Sequence, residues 1–302
     1  MNMADKNQFE NVGSALLVRA PAKINLSLLV AGKRPDGYHE IETIMAKINL
    51  YDEILIERSD KAGVELVCRG EYVVPAGRDN LVTKAAELLL ATCDWPENVK
   101  ITLTKNVPAG SGLGSGSSDA AATLMGLNEY LKLGLSTADL TPLAAQLGSD
   151  VPFFLGGSLA LCKGKGEIVL GFSGQFDFLA LLVLPDISVS TKKVYTNYKH
   201  DQRLYEELKC EIDHHILANR LDLIAKMCAN MLAKSCYNLE PDLVRLKEKI
   251  ESCGPKPLCL SGSGSTMFWV TATREEELAR RHQRRIEDRT HCRSIIVTNN
   301  PW

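Results

Sequence analysis

Residues 108–119 read Pro-Ala-Gly-Ser-Gly-Leu-Gly-Ser-Gly-Ser-Ser-Asp, with four glycines and four serines inside the nine residues 110–118. Such a stretch is either a flexible linker or a loop that wraps an anion. A linker sits in polar, aperiodic sequence. Here the alternating run 99–104 predicts a strand before the loop, and the alanine-rich run after it predicts a helix over 117–132. Ser117, Ser118 and Asp119 are residue types that cap a helix or fill its first turn. The glycines therefore stand at a helix N-terminus. Tight glycine turns aim backbone N–H groups inward, and the helix end adds about half a positive charge. Together these predict an anion site, most simply for phosphates. Two familiar phosphate loops are excluded. No lysine stands where GxxxxGK[ST] requires one, and GxGxxG fails because Gly110 and Gly112 are followed by Ser115, and Gly114 and Gly116 by Asp119.

Outward from the loop, residues 15–20 and 24–31 read as strands separated by a break at Pro21-Ala22-Lys23. Pro35-Asp36-Gly37 marks a turn, and residues 41–50 and 53–58 are again extended. Asn80 caps a predicted helix, and a further helix runs from Ser136 or Thr137 to Gln146. Residues 158–167 read as one strand. Beyond about residue 173 the pattern restarts. A strand precedes Pro185, a helix covers DLVRLKEKIESC, two strands flank SGSGST, and EEELARRHQRRIED is a helix before a final strand. The chain of 302 residues thus divides into two domains, 1–172 and 173–302.

Composition narrows the class of partner. Net charge is −2, and the most basic stretch, Arg280, Arg281, Arg284 and Arg285, lies in a run that also carries glutamates, as the solvated face of a helix does. Neither nucleic acid nor a membrane is implied as partner. The polar N-terminus carries acids and resembles no targeting peptide. Nine cysteines, with no CxxC pair, predict free thiols in a reducing cytoplasm and no zinc site.

The loop sequence PAGSGLGSGSSDAA resembles the phosphate loop of the GHMP kinases, the class of galactokinase, homoserine kinase and mevalonate kinase. APAKINLSLLVAGKRPDGYHEIET at 20–43 and LGSDVPFFLGG at 147–157 are similar to the branch that phosphorylates 4-diphosphocytidyl-2-C-methyl-D-erythritol, and SGSGST at 261–266 resembles the third glycine motif. The resemblance implies an α+β fold of two domains with the active site between them. The N-terminal domain would carry a left-handed βαβ crossover, an exception to the common hand, and the C-terminal domain would be a ferredoxin-like sandwich. It implies ATP-dependent phosphorylation of the substrate's 2-hydroxyl, with Mg²⁺ accompanying the nucleotide, as a step of non-mevalonate isoprenoid synthesis.

The resemblance also assigns roles. Asp150 is the general base and Lys23 its charge partner. On sequence alone, Ser-Asp-Val-Pro equally suits a turn, and a lysine is ordinarily solvated. Pro108, Ala109, Gly110, Ser111, Gly112, Leu113, Gly114, Ser115, Gly116, Ser117 and Ser118 hold ATP, with Ser118 at the γ-phosphate or Mg²⁺. Ser111 and Ser115 need ordinary φ values, since each carries a Cβ. Tyr38 stacks on the cytosine and His39 reads its edge, while Tyr195 closes the ring pocket and Thr191 touches diphosphate or polyol. Asn25 shares the sheet face of Lys23 and either bonds substrate or bridges strands. Lys192 and Lys193 follow Thr191, where a proline-type residue is expected, and either hold a diphosphate or face water. Gly262 and Gly264 let a C-terminal turn pack beside the loop or simply close a hairpin. Another GHMP small-molecule kinase, acting on homoserine or a mevalonate derivative, and a non-catalytic nucleotide-binding protein stand as alternatives. Oligomeric state and metal ligands stay open at this level.

Overall fold

The computed structural model describes residues 7–96, 98–172, 176–299 and 302. The expected domain boundary at 172/173 abuts residues 173–175, and residues 1–6 belong to the expected N-terminal extension; both sets lie outside the described residues. The N-terminal half is built on β1 (Phe9–Val12), β2 (Ala15–Lys33), β3 (His39–Arg58), β4 (Val64–Gly70), β5 (Val99–Lys105), β6 (Leu159–Lys163) and β7 (Ile168–Gly171). These form one sheet, ordered β1-β2-β3-β5-β4, with β6 joining β3 to β7. Only β4 and β5 run parallel, linked through α1 (Leu81–Thr92), and this is the βαβ unit the resemblance implied. Helices α2 (Ser115–Tyr130), α3 (Thr137–Leu147) and α4 (Val151–Leu155) complete this half. Asn80 caps α1 through Val82 N, and Ser136 with Asp139 forms a capping box on α3, so these two starts were legible.

The expected break at Pro21-Ala22-Lys23 does not exist. β2 runs through it for 19 residues, and β3 is likewise one strand of 20. Pro21 has no N–H to give a ladder, and the register accommodates it with an irregularity between Pro21 and Ala22. The short strands β1 and β4 were not read at all. The residues read as one strand over 158–167 are β6 followed by a turn into β7.

The C-terminal half adds β8 (Leu179–Leu184), α5 (Thr191–Asn197), α6 (Gln202–Leu217), α7 (Leu221–Met227), α8 (Ala233–Leu239), α9 (Pro241–Glu251), β9 (Cys259–Leu260), β10 (Met267–Thr271), α10 (Glu276–Thr290) and β11 (Arg293–Thr298). Its antiparallel sheet is ordered β11-β8-β10-β9. Numbered from β8, that is fourth, first, third, second, the ferredoxin-like order. The sequence reading missed α5–α8: α5, α7 and α8 have seven residues each, too short for a clear period, whereas the 16-residue α6 offered a readable cap in Asp201. Cys228 and Cys259 form a disulfide, against the expectation of nine free thiols. The other seven cysteines are free. The pair lies 31 residues apart in sequence, and the fold alone brings the Cα atoms to 4.8 Å.

Two cores share the β2–β3 ribbon. Leu16, Val18 and Ala20 pack with α1–α4, whereas Ala22, Ile24, Leu26 and Leu28 pack with β8, β10 and the C-terminal helices. Full burial of each larger aliphatic contributes roughly 1.5–3 kcal/mol. Leu28 exchanges backbone hydrogen bonds with Ala229 and Met231 across the join, at 2.7 and 2.9 Å. The two halves are therefore fastened along one strand, and β2 carries Lys23 and Asn25 to the seam between them. No helix of the described residues is long and apolar enough to cross a membrane.

Lys47 pairs across the strands with Lys23 and is 1 % exposed. Its Nζ donates to the carbonyls of Phe154 and Gly156, at 3.1 and 2.7 Å. Burial lowers its pKa from 10.5 to about 7. Above about pH 7 the folded chain then holds fewer protons than the unfolded one, so stability rises with pH until the unfolded lysine titrates near 10.5. The stability of the wild type relative to Lys47→Met should increase between pH 7 and 9 in urea unfolding, by at most ~1.4 kcal/mol per pH unit. A pH-independent difference would show that the buried ammonium keeps its charge.

Candidate active site

A cleft of about 950 Å³ opens at the seam. One wall is the glycine loop. Gly114 is the N-cap of α2 in the left-handed region (φ 68°, ψ 15°), and no side chain caps the helix. The first helical hydrogen bond runs from Ser118 N to Gly114 O at 2.9 Å. The N–H groups of Ser115, Gly116 and Ser117 therefore have no partner inside the helix, and all three residues line the cleft. Three inward amides are what an anion cradle requires, but the helix starts at Ser115, not at Ser117: Ser117 falls in its first turn, and none of Ser117, Ser118 and Asp119 caps it. The earlier start turns Ser118 inward. It is 1 % exposed, lies outside the cleft lining, and its Oγ has no hydrogen-bond partner among the described residues. Ser117 faces the cleft in its place.

The loop is held from both sides. Gly112 has φ +84°, and a Cβ there would stand 2.2 Å from Ser261 O. A Cβ on Gly114 would meet Lys23 Cε at 2.9 Å. Ser111 and Ser115 are absent from the positive-φ residues, as their Cβ atoms demand. Ser111 Oγ donates to Pro108 O at 2.8 Å, and its carbonyl accepts from Thr266 N at 3.0 Å. Leu113 is buried, and its carbonyl accepts from Lys23 N at 3.0 Å. Gly110, Gly112, Gly114 and Gly262 line the cleft, whereas Pro108, Ala109 and Gly264 support it from outside the lining.

Lys23 reaches into the cleft from β2. Its Nζ lies 3.6 Å from Asp150 Oδ2, and it donates to Asn25 Oδ1 at 2.6 Å and Gly112 O at 3.1 Å. Burial lowers the Lys23 pKa, and the Asp150 carboxylate opposes that shift. Asp150 precedes α4, yet its side chain makes no cap bond. The side chain lines the cleft instead and is 32 % exposed. Asn25 also donates to Thr43 Oγ1 at 2.8 Å, so it bridges strands while facing the cleft.

The far end is aromatic. Tyr38 is 54 % exposed, with Lys165 Nζ 5.0 Å from its ring centroid. His39 and Tyr195 face each other at 5.2 Å between centroids. Burial, followed by Lys33 and His200, lowers the His39 pKa. Thr191 Oγ1 lies 2.8 Å from Ser263 Oγ, and Lys192 lines the cleft, whereas Lys193 does not. The sequence reading missed Lys33, Lys165, Ser149 and Tyr198, which also line it. For Lys165 a signal existed. Lys-Gly-Lys-Gly at 163–166 has the glycines of a turn, and both adopt positive φ.

Beneath the cradle, Lys105 is buried with Asp52, Asp119 and Ser115. Its Nζ bonds Asp52, Ser115 Oγ and, at 2.7 Å, Asp119. Asp52 Oδ1 also accepts from the N–H groups of Asn106 and Val107, at 2.6 and 2.8 Å. Burial raises the Asp119 pKa, and Lys105 opposes the shift. This ionic knot fixes the first residue of α2 against β5.

Comparison with known proteins follows this geometry. Residues 80–158 match the family described as GHMP kinases N terminal domain, and 214–288 match GHMP kinases C terminal. A curated 4-diphosphocytidyl-2-C-methyl-D-erythritol kinase of Geobacter metallireducens is 39 % identical over 87 % of this chain and 91 % of its own length. The protein of that description in Geobacillus thermodenitrificans is 40 % identical over 84 % and 87 %. A crystal structure of 4-(cytidine 5'-diphospho)-2C-methyl-D-erythritol kinase superposes with TM-score 0.74 at 30 % identity, covering 94 % of this chain and 99 % of the other. A homoserine kinase of Cytophaga hutchinsonii, 21 % identical with TM-score 0.76 over 98 % of both chains, shares the fold. The chain belongs to the GHMP kinases and, within that class, to the 4-diphosphocytidyl-2-C-methyl-D-erythritol kinase family.

Replacing Lys105 by Met strands two carboxylates in the core. Lys105→Met should cost about 3–5 kcal/mol in urea unfolding, and adding Asp52→Asn should recover part of the loss. No recovery would mean that the lysine acts by packing alone.

Proposed function

We propose that the chain transfers the γ-phosphoryl group of ATP to the 2-hydroxyl of 4-diphosphocytidyl-2-C-methyl-D-erythritol, in non-mevalonate isoprenoid precursor synthesis. The observation that carries this reading is the meeting of three features in one cleft: an amide cradle, a buried lysine paired with a half-buried carboxylate, and an aromatic end. The seven free thiols and the ATP requirement favour a cytoplasmic setting.

The N–H groups of Ser115, Gly116 and Ser117 point at the triphosphate, and the dipole of α2 adds to their field. Asp150 takes the proton of the attacking hydroxyl. The new O–P bond forms as the bond from the γ-phosphorus to the bridging oxygen breaks, and ADP leaves. A base in this position contributes about 10²–10⁴-fold. Lys23 stands beside the acceptor and stabilises charge developing on the phosphoryl group. Its bonds to Asn25 and Gly112 hold it there, so its part is alignment as much as charge. Tyr38 and Tyr195 bracket the cytosine, His39 reads its edge, and Thr191 lies along the path from base to polyol. Lys192 faces the diphosphate.

The described residues contain no group of three or more His, Cys, Asp or Glu placed to hold a metal. An ion accompanying ATP is held mainly by phosphate oxygens. Ser117 would be its protein contact, and Mg²⁺ bound there would neutralise phosphate charge.

Asp150→Asn should lower kcat by about 10²–10⁴ while leaving ATP affinity intact, in a coupled ADP-release assay with 4-diphosphocytidyl-2-C-methyl-D-erythritol, homoserine and mevalonate compared side by side. Turnover of homoserine or mevalonate in preference would overturn the substrate assignment. Gly112→Ala, which drives a Cβ into Ser261 O, should abolish detectable ATP binding by calorimetry. Retained affinity would mean that the cradle does not hold the triphosphate.

A further inference from the structure

The two rings expected on either side of the base come from different halves of the chain, Tyr38 from the turn before β3 and Tyr195 from α5. Something must fix the gap between those elements. One candidate is a run of contacts that no role has yet absorbed. Tyr198, which follows α5, lines the cleft and meets His39 edge-on, with centroids 5.9 Å apart at 86°. That is a favoured aromatic geometry. The Tyr198 hydroxyl lies 3.3 Å from His200 Nδ1, and His200 Nε2 lies 2.9 Å from Gln202 Oε1. The amide oxygen can only accept, so Nε2 carries the proton, and Nδ1 accepts from the tyrosine.

The run continues into α6. The His200 ring packs against Tyr205 at 6.4 Å. Tyr205 OH donates to Glu42 Oε1 at 2.6 Å, and Lys209 Nζ to Glu42 Oε2 at 2.9 Å. Glu42 lies on β3, three residues beyond His39. The contacts therefore close a circuit from His39 through Tyr198, His200, Tyr205 and Glu42 back to the strand that bears His39. A circuit that starts and ends on one strand fixes how far α5 stands from it.

We propose that Tyr198 is a positioning residue for the base end of the cleft. Braced by His200, it holds His39 in place and sets the gap between Tyr38 and Tyr195. It acts through its neighbours and carries no part of phosphoryl transfer. The inference rests on the proposed function, because it takes the occupant of this end to be a cytidine nucleotide.

The probe is CDP, titrated calorimetrically into the full chain, with ATP titrated separately. Tyr198→Ala should weaken CDP binding roughly tenfold, raise the KM for the diphosphocytidyl substrate to match, and leave kcat at saturation and ATP affinity unmoved. Tyr198→Phe keeps the ring and should recover most of the loss. Wild-type CDP affinity in Tyr198→Ala would overturn the proposal, and so would an equal loss of ATP affinity, which marks a general disturbance. A wild-type chain that binds ATP but not CDP sinks the substrate assignment and this inference with it.

Discussion

One carbonyl oxygen joins the parts of this molecule. Gly112 O accepts from Lys23 Nζ at 3.1 Å and from Ser261 Oγ at 2.8 Å. It thereby ties strand β2, the glycine loop and the C-terminal turn at one point. The approach is possible only because residue 112 has no side chain: a Cβ there would overlap a backbone carbonyl. From that contact the cleft follows. The loop is pinned with its helix end outward, and Lys23 is pinned between the loop and the acid.

Charge is arranged around the same point with little waste. Three lysines are buried near the cradle, and each is handled differently. Lys105 is neutralised by two carboxylates. Lys47 donates to two carbonyls, lies 5.9 Å from the centroid of the Phe153 ring, and is pushed toward the neutral amine. Lys23 keeps one carboxylate, Asp150, at a distance too long for a tight hydrogen bond. Of the three, only Lys23 faces the cleft. A buried ammonium with a half-open partner is suited to meeting incoming phosphate charge, because burial strengthens the interaction and little must be displaced.

The β2–β3 ribbon explains why the cleft lies where it does. Its near half belongs to the core of α1–α4, and its far half to the core of the C-terminal sheet. A strand shared by two cores cannot shift relative to either without opening both. Lys23 and Asn25 sit at the changeover, so the candidate site is anchored to a segment packed into both cores. The aromatic end joins the turn between β2 and β3, which carries Tyr38, to α5, which carries Tyr195.

The glycine loop, the strand before it and the helix after it could be read from residue types, because local backbone requirements write themselves into local sequence. The caps at Asn80 and Ser136 were legible for that reason, whereas the order of motifs from Lys23 to Gly264 came from the resemblance to the family. Several features were not legible. Pro21 looked like a break, since nothing local shows that a neighbouring strand tolerates a bulge. Ser118 looked like a ligand, since a two-residue change in helix start rotates a side chain from cleft to core. The Lys105 knot, the Cys228–Cys259 bond and the ring circuit through Tyr198 join residues far apart in the chain. The sequence by itself determined which backbone segments can bend around an anion and which residue types accompany them. Only the tertiary structure decided which of those residues share a cleft, because packing of distant segments sets side-chain direction and burial, and no local pattern encodes either.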